Sequence, residues 1–251
     1  VGISGGHCSD INLLPPEYAL KGEGVANGPW EMRAKVRENI KYGVDLIKTC
    51  STGGVFSKGT SLGAAQGTLE ELTAIVEEAH ARGLKVASHA HGTVGIRNAL
   101  LAGVDTIEHA SILDDETIAL AKEKGAYLSM DIYNTEYTLA EGEKNGVLPE
   151  SIEKEKSISK IQRASFTAAN KAGAKMVFGS DSGVYPHGDN PKQFSRMVQF
   201  GMTPMQAITA ATATAAEALG KPGLLGCLDV GCAADMVAVS GDPLKDISIL
   251  E

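Results

Sequence analysis

Short apolar segments alternate with amphipathic segments along most of the chain. Each apolar segment has the length of a buried strand, and each amphipathic segment has the periodicity of a helix. The alternation therefore predicts βα units around a parallel sheet. The predicted strands are residues 44–49, 84–92, 104–111, 126–133 and 174–183.

The ends of the predicted helices follow a repeated local pattern. Thr68 and Glu71 have the spacing of a capping box at the start of one helix. Four helices are followed by a glycine that leads directly into the next apolar strand: Gly83, Gly103, Gly125 and Gly173. This repetition is typical of a (β/α)8 barrel of the TIM type.

The barrel is expected to occupy residues 1–222 and to lack its first strands. Residues 223–251 are rich in turn residues, with MVAV as the clearest strand, and we expect them to begin a small β-sandwich domain. The sequence starts at Val1, not at Met, within a segment that reads as the end of a strand. We therefore expect it to be truncated at the N-terminus.

Composition narrows the range of partners. The formal net charge is −8 and no cluster of Lys and Arg occurs, so nucleic acid and anionic membranes are not expected partners. No apolar segment approaches the ~20 residues that a membrane-spanning helix needs. The four cysteines lie far apart without a CxxC pair, and this spacing favours reduced thiols and a cytoplasmic location.

Polar residues follow the ends of four predicted strands: Lys48, His89 with His91, His109, and Asp181. The carboxyl ends of barrel strands carry the active site in TIM-type enzymes. A single histidine at a strand end is usually structural, but imidazole and carboxylate groups from several strands form the ligand set that zinc prefers. The pattern therefore predicts a catalytic metal site.

Lys48 lies in the apolar segment VDLIKT, where we expect it to be buried. A buried ammonium group is costly, so it either pairs with a carboxylate or loses its proton. A neutral amine can react with carbon dioxide to give a carbamate, an anionic group that can bridge two metal ions.

Five segments resemble motifs of the amidohydrolase superfamily: LIKTCSTGG, VASHAHG, DTIEHAS, VFGSDSG and TPMQAITAATATAAEALG. The resemblance is strongest to its imidazolonepropionase-like and Xaa-Pro dipeptidase-like members. It implies that Lys48 is a carboxylated lysine bridging two zinc ions, and that His89 and His109 bind the second ion. Asp181 would bind the first ion and act as proton carrier, although an Asx cap in GSDSG is the alternative.

Three further side chains are candidates for the site. By resemblance, His7 in SGGHCSD would polarise the scissile carbonyl or hold a substrate carboxylate. His91 shares a strand face with His89, so it would contact substrate or support a ligand, and Tyr133, at a strand end, would contact substrate. The family's His-x-His pair of the first strand does not occur before Lys48. The metal centre of the sequence as given is therefore expected to be incomplete.

These features predict a hydrolase that cleaves the amide bond of small dipeptides or N-acyl amino acids, with Pro or a hydrophobic residue at the C-terminus. Attack by a metal-bound hydroxide is the expected mechanism. Two alternatives stay open: a cyclic-amide (imidazolone-like) or lactone ring hydrolase, and a catalytically silent barrel fragment. Deamination is disfavoured because His91 stands where such enzymes carry Glu. Homo-oligomerisation is left open.

Overall fold

A computed structural model of the protein describes residues 1–8 and 24–251. The chain forms two compact units, Val1–Ala126 and Tyr127–Glu251. Both have parallel strands alternating with helices, so the predicted α/β class is confirmed, while the closed eight-stranded barrel stays a prediction. The division into residues 1–222 and 223–251 also stays a prediction.

The first unit contains a parallel sheet with its strands in sequence order. Its elements are α1 (Gly28–Lys41), β1 (Leu46–Cys50), α2 (Leu69–His80), β2 (Lys85–Ala90), α3 (Thr93–Ala102), β3 (Thr106–His109) and α4 (Asp115–Lys124). In the register of the sheet, Cys50 is level with His89, and Ala90 is level with His109. The carboxyl ends of these strands therefore meet at one edge.

Alternation along the strands builds the core of this unit. Ile47, Val86 and Ile107 are the second residues of the three strands and are almost completely buried. Helix α2 packs against both α1 and α3. The aliphatic core fixes the strands, and the strands in turn fix the residues that follow their carboxyl ends.

Most helix ends in this unit lie where the capping residues of the sequence predict them. Thr68 caps α2, and the reciprocal hydrogen bonds with Glu71 confirm the predicted capping box. Gly103 and Gly125 end α3 and α4 in the left-handed conformation, with φ of 94° and 68°. Helix α2 ends at His80, before the predicted glycine, and Gly83 closes the following turn with φ of 73°.

The second unit has two parallel strands and five α-helices among its described elements. They are β4 (Tyr127–Ser129), α5 (Ile132–Glu141), α6 (Pro149–Lys171), β5 (Lys175–Val177), α7 (Lys192–Gln199), α8 (Pro204–Ala211) and α9 (Ala213–Ala218), followed by a 3-10 helix at Ile247–Leu250. The strand expected over 174–183 is shorter than predicted, at Lys175–Val177, and two further elements differ. The strand expected over 126–133 ends at Ser129 because Asp131 is the N-cap of α5, and the helix expected after Thr203 divides at Thr212, whose φ and ψ are −122° and −92°.

The C-terminal segment does not contain the expected strand. MVAV at 236–239 forms neither a helix nor a strand, and Met236 and Val237 are 73% and 87% exposed. A strand needs a neighbour to satisfy its backbone hydrogen bonds, and none pairs with this segment in the described part of the chain. The expected start of a β-sandwich is therefore not observed there.

The cysteines correct a second expectation. Cys8 pairs with Cys50 and Cys227 with Cys232 in disulfides, with Cα separations of 5.8 and 5.9 Å. Such separations are usual for disulfides. The prediction of reduced thiols was wrong because spacing along the chain does not report that the end of β1 meets the loop containing Cys8.

None of the helices in residues 1–8 and 24–251 is long and apolar enough to cross a membrane.

Candidate metal centre

Four histidine rings cluster at the carboxyl edge of the sheet in the first unit. His89 is central: its ring centroid lies 4.1 Å from that of His7, 4.7 Å from His91 and 4.6 Å from His109. His91 and His109 also stack on each other at 4.6 Å. Three of these residues follow from the strand register, since His89 is in β2, His91 directly follows it and His109 ends β3.

The protonation state of His89 suits a metal ligand. Burial lowers the pKa of His89 well below its ordinary value, and the neighbouring His109, His91, His7 and Lys48 lower it further. The ring is therefore neutral at physiological pH, which is the form that binds metals. Its Nε2 is buried and has no hydrogen-bond partner among the described residues, so a metal ion would satisfy an otherwise costly polar atom.

His91 is held for a similar role. Its Nδ1 hydrogen bonds to Ser111 Oγ at 2.8 Å, and its backbone N–H donates to Thr52 Oγ1 at 2.9 Å. A hydrogen bond at one ring nitrogen is the usual way to orient a metal-binding imidazole. One nitrogen each of His89, His91 and His109 lie within 4.8 Å of one another, a spacing that one ion can bridge. The sequence predicted that His91 contacts substrate or supports a ligand, and its His-x-His spacing with His89 is a signal for a ligand as well.

His7 also reaches this cluster. Its backbone N–H donates to Gln66 Oε1 at 2.9 Å. Ligand atoms of His7, Cys50 and His89 lie within 4.8 Å of one another. The structure thus brings His7 beside the predicted ligand His89, as a role in binding substrate requires.

Lys48 differs from the expectation in one respect. It lies in β1, but its side chain is exposed, so the prediction of a buried lysine was wrong. The reason is the alternation of the strand: Ile47 and Thr49 are buried, and Lys48 is on the opposite face. Its charge contributes to the lowered pKa of His89, so the amine is close enough to the histidine cluster to interact with it electrostatically.

In the second unit, Asp181 follows β5 and accepts a hydrogen bond at Oδ2 from Asn134 Nδ2, at 3.1 Å. The same amide nitrogen donates to Asp131 Oδ2 at 2.9 Å. Asp131 is 4% exposed and Asp181 is exposed. The sequence missed Asp131, which falls in the segment expected to be a strand, and Asn134, which directly follows that segment.

Tyr133 is also displaced from the expected strand end. It lies in the first turn of α5, is buried, and packs edge-to-face on Tyr185 with ring centroids 5.0 Å apart. Burial is the main cause that raises the pKa of Tyr185 to about 12, with a contribution from the nearby Asp131, Tyr133 and Asp181. The Tyr185 hydroxyl therefore remains protonated in the physiological range, near the two carboxylates.

Backbone strain coincides with predicted site residues. Among the described residues other than glycine, those with positive φ are His109, Ala110 and Asp181, at 67°, 45° and 50°. Such conformations cost about 1–3 kcal/mol each and cluster at functional sites. Two of the three are residues that the sequence singles out as metal ligands.

Comparison with known proteins places this arrangement in a family. The chain belongs to the amidohydrolase family, which matches residues 10–251. Ochratoxinase of Aspergillus niger is 36% identical over 230 residues, which cover 90% of this chain and 47% of that protein. Imidazolonepropionase of Chromobacterium violaceum is 26% identical over 234 residues, 90% of this chain and 48% of that protein. The chain thus spans about half the length of the curated relatives it matches.

Solved structures of similar proteins support the same family. A Xaa-Pro dipeptidase with methionine bound in its active site superimposes with a TM-score of 0.93 at 38% identity, over 100% of this chain and 63% of that chain. The crystal structure of A. niger ochratoxinase gives a TM-score of 0.86 at 33% identity, over 99% of this chain and 60% of that one. A prolidase complexed with N-methylphosphonate-L-proline gives a TM-score of 0.91 at 32% identity, over 99% of this chain and 62% of that one. The resemblance inferred from the sequence motifs is confirmed.

Proposed function

We propose that the protein is a metal-dependent hydrolase that cleaves the amide bond of small dipeptides or N-acyl amino acids with a C-terminal Pro or hydrophobic residue. The observation that carries this proposal is the cluster of four histidines around the buried, neutral His89. The choice of substrate is supported by similarity to a Xaa-Pro dipeptidase and a prolidase, which bind methionine and a phosphonate analogue containing proline.

His89 and His109 would hold metal through their ring nitrogens, and His91 offers a third imidazole at the same place. Zinc ions bound there would polarise the amide carbonyl and activate water for attack at neutral pH. Lys48 is exposed, so its side chain is accessible to carbon dioxide. A carbamate would form by a bond from the Lys48 nitrogen to the carbon of CO2, with the displaced protons released to solvent, and would serve as an oxygen ligand.

His7 is suited to orient the substrate. Its backbone is fixed by Gln66 and its ring stacks on His89, so its position is set before substrate arrives. A preorganised imidazole stabilises the charge that develops on a carbonyl oxygen, or binds a substrate carboxylate. The role of Asp181, which takes a proton from the attacking water and passes it to the leaving nitrogen, rests on the family resemblance. Tyr133 is proposed to contact substrate on the same basis.

The test of substrate class is a dipeptide library incubated with the purified full-length protein and zinc. Turnover of Xaa-Pro or Xaa-hydrophobic dipeptides is the expected result. Cleavage of an imidazolone or lactone without dipeptide turnover would instead favour the ring hydrolase, which the match to imidazolonepropionase also supports. No turnover of either class would support the silent fragment.

Lys48→Ala and Lys48→Arg test the bridging carbamate. Neither side chain can form a carbamate, and Arg retains the positive charge. Both variants are expected to lose bound zinc and activity, whereas the exposed Lys41→Ala in α1 should retain both. Elemental analysis that shows full zinc content in the two Lys48 variants would contradict the assignment.

A further inference from the structure

The side-chain amide of Asn134 lies between two carboxylates of the second unit. Its Nδ2 is 2.9 Å from Asp131 Oδ2 and 3.1 Å from Asp181 Oδ2. An amide NH2 group carries two N–H donors, so each carboxylate receives one. Oxygens of Asp131 and Asp181 approach within 4.8 Å, and the amide offsets the repulsion expected at that distance.

The side chain of Asp131 contacts the Asn134 amide and does not cap the backbone of its own helix. Asp131 is the N-cap of α5, where an aspartate usually accepts the backbone N–H of the third helical residue. The side chain makes no capping hydrogen bond. Its carboxylate instead accepts from the side chain of Asn134, which is that third residue, and from Gln162 Nε2 at 3.4 Å.

A second layer of buried hydroxyls fixes the two amides. Thr138 Oγ1 donates to Asn134 Oδ1 at 3.3 Å, and Thr135 Oγ1 donates to Gln162 Oε1 at 3.0 Å. If the Asn134 amide were reversed, its oxygen would face both carboxylates. The NH2 group is therefore held towards Asp131 and Asp181.

We propose that Asn134 is a positioning residue for Asp181, and that Asp131 acts on Asp181 only through Asn134. By fixing Oδ2, Asn134 sets the rotation of the Asp181 carboxylate and hence the direction of Oδ1. It also supports the left-handed backbone of Asp181, whose φ is 50°. This inference rests on the proposed function in one respect, the assignment of Asp181 as metal ligand and proton carrier.

Two substitutions of Asn134 test the proposal. Asn134→Ala removes the donors, and Asn134→Asp keeps the shape but replaces the donors with a third carboxylate. Loss of a residue that orients a metal ligand typically costs about 10–100-fold in metal affinity or activity. In both variants the zinc Kd, measured by competition with a chelator, is expected to rise by this factor and kcat to fall by it. KM should change by less than about threefold. If Asn134 only filled space, Asn134→Asp would behave as the wild type.

Substitutions of Asp131 separate positioning from direct ligation. Asp131→Asn retains an oxygen that can accept from Asn134 and is expected to be mild, whereas Asp131→Ala should resemble Asn134→Ala. The double variant Asp131→Ala/Asn134→Ala should be no worse than Asn134→Ala alone, because the two residues act in series. Additive losses of zinc affinity, or equal losses in Asp131→Asn and Asp131→Ala, would overturn the proposal and indicate that Asp131 binds the metal itself.

Zinc competition does not require turnover. If the wild type cleaves no dipeptide, the proposed substrate is wrong, yet the zinc Kd of the variants still tests the role of Asn134. Asn145→Ala is the matched control, since Asn145 is an exposed asparagine of the same unit that donates to Tyr137 Oη. Its zinc Kd and kcat should equal those of the wild type, and unchanged zinc Kd and kcat in both Asn134 variants would refute the positioning role.

Discussion

At the scale of single residues, the histidine cluster depends on a glycine that the sequence does not mark as functional. A Cβ atom added to Gly54 would lie 2.5 Å from Cε1 of His7 and 2.7 Å from both of its ring nitrogens. The His7 ring also stacks on His89. The ring therefore lies between His89 and Gly54, where a methyl group would displace it.

Gly54→Ala is predicted to lower kcat/KM by about 10–100-fold, because small misplacements of a catalytic group have effects of that size. Zinc content should be unchanged, since His7 is not one of the proposed ligands. The control is Gly24→Ala, where an added Cβ meets no atom within 4 Å. Steady-state kinetics with an Xaa-Pro dipeptide measures the effect, and wild-type kcat/KM in Gly54→Ala would argue against the orienting role of His7.

At the scale of elements, one side chain at the start of α2 both caps its own helix and binds the start of α1. Glu71 Oε2 accepts the backbone N–H of Thr68, and Glu71 Oε1 accepts the N–H of Gly28 at the start of α1, at 2.8 and 2.7 Å. The capping box therefore also ties α1 to α2.

Thr68→Ala is expected to reduce the free energy of unfolding by about 1 kcal/mol, the usual effect of removing a capping hydroxyl. Thr68→Ser retains the hydroxyl and should remain close to the wild type. Denaturation in urea measures both. Equal stability of the two variants would show that the hydroxyl does not stabilise the helix.

Elements that depend on local signals could be predicted from the sequence. The capping box at Thr68, the left-handed glycines after α3 and α4, and the three strands of the first unit all follow from neighbouring residues. Features that depend on tertiary contacts could not be predicted from the sequence. Helix α5 begins inside a segment with apolar strand-like alternation, and MVAV lacks a pairing strand among the described residues.

In the candidate site, too, the features set by local sequence could be predicted and those set by tertiary contacts could not. The strand-end rule located Lys48, His89 and His109, and the register brings the two histidines together. It did not give the exposure of Lys48, the approach of Cys8 to Cys50, or the link from Asp131 to Asp181. Each of these depends on which segments meet in space.

At the scale of the whole molecule, acid stability involves Asp105, which joins three elements. Its carboxylate accepts from Lys85 Nζ at 2.6 Å, from the backbone N–H of Val86 at 2.8 Å, and lies 2.8 Å from His80 Nε2. Burial by itself raises the pKa of Asp105, but these hydrogen bonds together hold the pKa below its ordinary value. The carboxylate form is therefore favoured in the folded protein.

Because the folded pKa is depressed, the stabilisation by Asp105 is present above the unfolded pKa of about 4. It is lost as pH falls through the folded pKa. The free energy of unfolding of Asp105→Asn should decline less steeply than that of the wild type below about pH 4. The exposed Asp235→Asn should keep the wild-type slope. Urea denaturation between neutral and acid pH measures the slopes, and identical slopes in all three proteins would contradict the assignment.

The location of the protein stays a prediction. The cytoplasmic location expected from the sequence does not agree with the two disulfides, because disulfides persist mainly in oxidising compartments.

The central claim is that the cluster around His89 binds metal, and the zinc content of His89→Ala against the wild type tests it most directly. His80→Ala is the control, since His80 contacts Asp105 and lies outside the cluster. After saturation with zinc and dialysis, the wild type and His80→Ala are predicted to retain zinc and His89→Ala to lose it. Equal zinc in all three proteins, or none in the wild type, would contradict the account.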